Sequence, residues 1–258
     1  MVIFMLSSIR TKAAELVKGK KKIYTLLALD VISLILCVNL LPILYENSLA
    51  IFVKINTPEY EHLINFIAAS VMLFLACALR FSFVSSAGRY FYKRAMGENT
   101  DIGDVFYYLS FDVFVTNFLF RLKLSLAKLV CFTFCFLPLT SVFFFLYRTA
   151  YSGASVLVIV VMTFTAVIFL ITGIIYYCKF SSLLFLCPYI FYVDNSKSFF
   201  EIVSESQGIM KKRVKSLNKI RVSFIPSFIL CVFLVPAIYV WSVYNQTKAV
   251  AARCFLGS

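Results

Sequence analysis

The sequence predicts an all-α fold, a polytopic helical membrane bundle of about five spans, and three observations carry that prediction. Hydrophobic residues make up 62% of the 258, where a soluble domain holds about half. They are gathered into blocks of about twenty residues, the length that crosses a bilayer as a helix. No stretch alternates apolar and polar residues over a useful length, and turn formers are scarce, with 8 Gly and 6 Pro, so strand-built folds are excluded.

Residues 1–22 read as a basic amphipathic segment. Leu6, Ile9, Ala13, Leu16 and Val17 recur at helical spacing, while Arg10, Lys12, Glu15 and Lys18 lie elsewhere on the wheel. Such a helix before a span is expected to lie in the membrane interface. Gly19 permits a bend before Lys20, Lys21 and Lys22. The charges follow the first apolar residues, the reverse of a cleaved signal peptide.

A single transmembrane domain is expected over 23–244. Span one, 23–44, is long enough for about 30 Å of hydrocarbon and contains Asp30. A polar stretch, 45–61, leads to span two, 63–85, which contains Arg80. The following polar segment ends at a helix N-cap, Thr100 or Asp101. The helix it opens carries Val105, Phe106, Leu109, Val113 and Phe120, and reads as a second interfacial helix. Span three, 124–147, has Lys128 near its start and Pro138 near its middle, where a kink is expected. The short connection at 148–153 makes spans three and four, 154–177, antiparallel neighbours. Apolar character then continues to Val193, broken by Lys179, Ser181 and Ser182. The helix either projects beyond the bilayer or breaks near Pro188; a sixth span at 180–193 is the alternative, but the piece is short for one. In the third polar segment, 195–221, Ser198 and Glu201 have capping-box spacing, and Phe199, Ile202, Val203 and Met210 share a helix face. Span five, 222–244, contains Pro226 and Pro236, and 245–258 reads as a short C-terminal tail.

The net charge is +13. In a soluble protein that would point to nucleic acid. Here the cations flank apolar blocks, so membrane lipids are the expected partner, especially those of the anionic inner leaflet, and not nucleic acid. With five spans, 21 of the 25 lysines and arginines share a side. The positive-inside rule makes that side, with the N-terminus and the amphipathic helices, cytoplasmic. A sixth span would put seven of them, Lys197 to Arg221, outside. Candidate contacts to anionic lipid are Lys20, Lys21, Lys22, Lys211, Lys212, Arg213 and Lys215.

No catalytic, cofactor-binding or metal-binding constellation is legible. HExxH, GxSxG and Walker A patterns are missing, and no paired carboxylates sit within the spans. The 8 cysteines form no CxxC and read as small apolar fillers. His62, at a span end, reads as a solvated interface residue. Tyr24, Tyr147, Tyr176, Tyr177, Tyr239, Trp241 and Tyr244 fall near span ends, as in an aromatic belt. Four ionisable residues enter the apolar blocks and form a candidate intramembrane charge cluster: Asp30, Arg80, Lys128 and Lys179. The bland reading is that the cations snorkel to headgroups and Asp30 takes Arg80 or Lys128 as partner.

Several short patterns have the look of a known group. They are Ile9-Arg10-Thr11-Lys12-Ala13-Ala14-Glu15-Leu16-Val17-Lys18-Gly19, Gly88-Arg89-Tyr90-Phe91 with Gly97-Glu98 and Asp104-Val105-Phe106, and Tyr192-Val193-Asp194-Asn195 with Ser206-Gln207-Gly208-Ile209-Met210-Lys211-Lys212 before Ser223-Phe224-Ile225. Together they resemble an uncharacterised bacterial integral membrane family, domain-of-unknown-function family 975. Members usually have a Trp soon after the Ser-Phe-Ile element; here Pro226 follows. The resemblance, and that family's distant likeness to the membrane domain of some glycerophosphodiester phosphodiesterases, implies a multi-pass helical bundle of the bacterial cytoplasmic membrane without catalytic residues. The expected function is a non-enzymatic membrane module that binds the inner leaflet or a protein partner, which includes a second copy of the chain. The alternative is a transporter or permease subunit using Asp30, Arg80 and Lys128 with the proline-broken spans, against which the lack of an evident inverted repeat weighs. A membrane-embedded lipid enzyme ranks third.

Overall fold

The computed structural model describes residues 2–17, 22–53, 60–101, 103–151, 153, 155–229 and 234–257, and among them there is no strand. Two compact units divide the chain: Met1–Leu119 with Ser223–Ser258, and Phe120–Val222.

In the first unit, helices α1 (Val2–Val17), α2 (Lys22–Val53), α3 (Tyr60–Met96) and α10 (Leu234–Leu256) pack together. Asp30 stands beside Arg80, Cys37 beside Cys77 and Asn47 beside His62, an order that makes α2 and α3 antiparallel. The buried face of α3 is built of Ala69, Ala76, Ala78, Ser82, Ser85, Ser86 and Ala87. Small side chains let helix backbones approach closely where lipid supplies no hydrophobic drive. His62, expected as a solvated residue, is half-buried, its Nδ1 3.2 Å from Asn47 Oδ1.

The apolar stripe of α1 is Ile9, Ala13 and Val17, buried at i, i+4 and i+8, and α1 packs on α10 and α3. The stripe expected to face lipid is therefore covered by protein. Residues 245–256, expected as a tail, are the second half of α10, with Gln246, Thr247, Val250, Ala251, Ala252 and Phe255 buried. The polar run Asn245-Gln246-Thr247 ends the apolar pattern without ending the helix, because its side chains bond inward. Asn245 donates to the Trp241 carbonyl, Thr247 to that of Val243 and Gln246 to that of Phe91. The alanines that follow are strong helix formers.

Helix α3 runs eleven residues past its expected end at 85 and closes at Gly97, whose φ of 89° only glycine adopts readily. Gly97 N–H bonds Arg94 O, and Glu98 N–H bonds Lys93 O at 3.0 Å, a Schellman closure. Helix α4 (Gly103–Phe106) and a 3₁₀ turn (Tyr107–Leu109) fold back on α3. Asp104 takes part in organising this start, its N–H bonding the Asp101 carbonyl. Its carboxylate accepts from Lys93 Nζ at 2.7 Å and from the Asp101 N–H at 2.9 Å. Arg89 lies over the Tyr107 ring, 3.4 Å from its centroid, and Tyr90 and Phe91 are buried. The pattern Gly88-Arg89-Tyr90-Phe91…Gly97-Glu98…Asp104 is thus the hinge of one folding unit.

Helix α5 (Phe111–Tyr151) joins the expected interfacial helix to span three as one helix of 41 residues, with Pro138 inside. It is followed in the chain by α6 (Val156–Leu183), α7 (Cys187–Val193), α8 (Phe199–Met210) and α9 (Val214–Ile229), the second unit holding α5 from Phe120 and α9 as far as Val222. The break after α6 falls at 184–186, and Pro188 sits in the first turn of α7, where its missing N–H costs nothing. Ser198 and Glu201 form a reciprocal capping box at the start of α8. Ser206 in α8 donates to the Leu183 carbonyl at 2.7 Å and so satisfies the end of α6. Phe120 stacks on Phe191 at 4.2 Å and meets Phe199 edge-on. Helices α5 and α6 approach closely at Gly173, where a Cβ would lie 2.9 Å from the Cys135 carbonyl oxygen and 3.1 Å from the Phe136 ring.

Four helical stretches are long and apolar enough to cross a membrane: Ala28–Ile51, His62–Met96, Phe111–Thr149 and Val156–Val193. Large apolar side chains stand exposed along them, such as Phe134 at 72% and Phe164 at 68%, a surface suited to lipid. The architecture is that of a multi-pass helical membrane protein. The fifth expected span, 222–244, falls on the end of α9, on 230–233 outside the described residues, and on the start of α10. Of the expected belt aromatics, Tyr147, Tyr176 and Tyr239 are exposed. Trp241 packs on Phe91, Tyr244 on Phe224 and Phe228, and Tyr177 on Phe132.

Candidate functional site

In the second unit, charged side chains tie α5 to α7 and α9 to α6. Arg121 and Lys128 are seven residues apart on α5, two turns, and so share a face. Arg221 on α9 brings a third cation, and Lys128 feels the like charges of both arginines. Arg121 donates to the Tyr192 hydroxyl at 2.6 Å, and Arg221 to Ser182 Oγ at 2.8 Å. Ser182, buried on α6, donates in turn to the Cys178 carbonyl at 2.6 Å, with the Asn218 amide 3.1 Å away. Each of these guanidinium groups thus bonds a hydroxyl.

The carboxylates of this unit are occupied elsewhere. It has twelve lysines and arginines against Asp194, Glu201 and Glu205. Asp194 accepts from the hydroxyl and N–H of Ser196, bonds that hold its carboxyl below the usual range. Glu201 is held below its usual range by the Ser198 backbone N–H and then the Ser198 hydroxyl of the capping box. Glu205 bonds Lys197 at 2.8 Å and holds that ammonium above the ordinary lysine value. Lys211, Lys212 and Lys215, around the α8–α9 turn, are exposed, and Arg213 is half-buried.

In the first unit, Asp30 and Arg80 meet with Oδ1 and Nη1 3.5 Å apart, and Arg80 also donates to the Asp30 carbonyl at 3.3 Å. The four intramembrane charges thus divide. Asp30 pairs with Arg80, Lys128 lies with Arg121 and Arg221, and Lys179 stands exposed on α6. Lys20 and Lys21 lie outside the described residues, as does the side chain of Lys22.

Other arginines of the first unit serve helix ends. Arg94 donates to the Leu16 carbonyl at the end of α1, and Arg253 to the Ala95 carbonyl at the end of α3. A cation there satisfies an orphan carbonyl and complements the helix dipole. Arg94 also lines a cleft of about 260 Å³ with Leu16, Tyr90, Gly97, Glu98, Asn99 and Thr100. Near it, burial opposes ionisation of Asp104, but Lys93, the Asp101 N–H and the Arg89 charge outweigh that and hold its carboxyl below the usual range.

Comparison with protein-family models, with curated proteins and with solved structures gives no match. The chemistry of this chain must therefore be read from its own residues. Among the described ones, no group of three or more His, Cys, Asp or Glu is placed to hold a metal ion. The arginine roles and the grouping of Arg121 with Arg221 were not singled out from sequence. The available signals were Lys93 and Arg94 just before Gly97, which mark a helix C-terminus, and the seven-residue spacing of Arg121 and Lys128.

Proposed function

We propose that this protein is a non-enzymatic membrane module whose basic segments hold anionic headgroups of the inner leaflet. One observation carries the reading. Lys211, Lys212 and Lys215 are exposed at the α8–α9 turn, while Asp194, Glu201 and Glu205, the carboxylates of that unit, are bonded to Ser196, Ser198 and Lys197. Each such cation near an anionic surface contributes about 1 kcal/mol. The α8–α9 turn then faces the cytoplasm, with the N-terminus on the same side, in keeping with the bias of lysines and arginines along the chain. The resemblance to domain-of-unknown-function family 975 points to the same kind of module in a bacterial cytoplasmic membrane. The Asp30–Arg80 pair favours the second reading, a transporter or permease subunit, since charges within spans mark ion and substrate paths.

The test uses the full chain in nanodiscs containing spin-labelled phosphatidylglycerol or phosphatidylcholine. The lipid immobilised at the protein should be richer in phosphatidylglycerol, less so as salt rises. Replacing Lys211, Lys212, Arg213 and Lys215 together with Gln should lower that preference severalfold. An unchanged preference would reduce the cluster to a topology signal.

A further inference from the structure

We propose that the cleft between the end of α1 and the end of α3 binds a small zwitterion, a free α-amino acid whose carboxylate meets Arg94 and whose ammonium meets Glu98. The site lies in the first unit and is independent of leaflet binding by the α8–α9 turn. Three observations carry it.

First, Arg94 is a buried cation, 9% exposed, whose donors are only partly used. Nη2 donates to the Leu16 carbonyl, and Cζ stands 5.8 Å from the Tyr90 ring centroid. Nη1 is buried with no hydrogen-bond partner. Asp104, the carboxylate that meets the neighbouring Lys93, is bonded to that ammonium at 2.7 Å and not to Arg94. A buried charged donor without an acceptor is unfavourable, and an arginine fork suits the two oxygens of one carboxylate. Second, Arg94 lines a cleft of about 260 Å³. Ligand pockets usually hold about 300–1,000 Å³, so this one admits a small molecule. A turn of the guanidinium about its stem brings the Nη1 edge to the cleft, a rotamer change of the kind common on binding. Third, the other charge on the cleft wall is of opposite sign. Glu98 is exposed just past the end of α3, and it forms no ion pair with Arg94 or with any other described residue. Together with the negative pole at the C-terminus of α3, it disfavours a bare anion such as phosphate. A zwitterion satisfies both charges. An acid and an ammonium also occur together in an ethanolamine phospholipid headgroup. The exposed Gly97, Glu98 and Asn99 make the rim polar, which favours the water-soluble source, and Leu16 offers an apolar contact to its side chain.

The experiment is isothermal titration calorimetry of the full chain in nanodiscs, with empty nanodiscs as the blank. The probes are valine, isovalerate (valine without its ammonium), isobutylamine (valine without its carboxylate) and phosphoethanolamine. Valine should bind, and isovalerate about tenfold more weakly, the loss of one charge-assisted contact. Isobutylamine should be weaker than valine by at least as much. Glu98→Gln, at an exposed position, should bring valine down to the level of isovalerate and leave isovalerate within about twofold. Arg94→Lys should weaken valine and isovalerate alike. No heat from valine, or equal valine affinity in the wild type and Glu98→Gln, would overturn the site. Isovalerate binding as tightly as valine would overturn the zwitterion, and phosphoethanolamine binding more tightly than valine would overturn the amino acid in favour of a headgroup. Should Arg94→Lys lose its monodisperse elution profile, because Arg94 also bonds α1, the four probes and Glu98→Gln still decide.

Discussion

Gly173→Leu should lower the thermal unfolding midpoint in detergent sharply and broaden the elution profile of the heated protein. A β-carbon at Gly173 would sit 2.9 Å from the Cys135 carbonyl oxygen, a backbone atom, with the Phe136 ring at 3.1 Å on another side. A flexible side chain could move away, but a helix carbonyl moves only with its helix. Leucine therefore separates α5 from α6 locally and removes packing that in lipid rests on close contact. Overpacking of this kind costs about 1–3 kcal/mol, and the ring contacts of Phe132 and Phe136 with Tyr177 lie on the same seam. Gly208→Ala is the control, since nothing lies within 4 Å of its added carbon. On the exposed side of α8 it should raise the midpoint slightly, an alanine being better than glycine inside a helix by about 0.5–1 kcal/mol. Equal behaviour of the two variants would show that the α5–α6 approach is not tight.

Asp30→Leu should reduce folded yield in membranes far more than Asp30→Asn. The carboxylate lies 3.5 Å from Arg80, and both side chains are only about a quarter exposed, 24% and 28%. Leucine leaves the Arg80 cation beside an apolar helix with the Asp30 backbone carbonyl as its remaining acceptor. An uncompensated cation within a span costs about 2.5 kcal/mol on insertion scales. Asparagine keeps an acceptor at the same reach and loses only the charge. The double variant Asp30→Leu/Arg80→Leu should recover much of the yield, because breaking one side of a pair costs more than replacing both. If Leu and Asn behave alike, the pair has no role in stability.

The parts of this fold that could be read in advance are those fixed by local chemistry or by the bilayer. Asp30 has too short a stem to reach the headgroups, so a cation of another span, Arg80 or Lys128, was its expected partner, and it is Arg80. Ser198 and Glu201 announce a helix start by spacing alone. The C-terminal helix was illegible because hydropathy falls at Asn245-Gln246-Thr247-Lys248, and nothing local reveals that Gln246 reaches the Phe91 carbonyl across 155 residues of chain. The same distance problem hid the basic cluster: Arg121 and Arg221 are a hundred positions apart, and only tertiary packing sets both about Lys128. Arg94 and Arg253 each end on the carbonyl of a neighbouring helix terminus. In each case a polar residue reads as solvent-facing until its partner, remote in sequence, is known.

Leaflet binding requires the α8–α9 turn to face the cytoplasm, and the most direct test is which side it occupies. Single cysteines would be placed at residues 50 and 213 (Ala50→Cys and Arg213→Cys) in a chain whose own cysteines are replaced by serine, then labelled in intact cells with a membrane-impermeant maleimide. Ala50 is half-buried near the end of α2, and Arg213 lies at the α8–α9 turn. Labelling of the residue-50 variant from outside, with the residue-213 variant reacting only after the membrane is opened, is the expected result. Labelling of the residue-213 variant in intact cells would contradict the orientation and the leaflet-binding function with it.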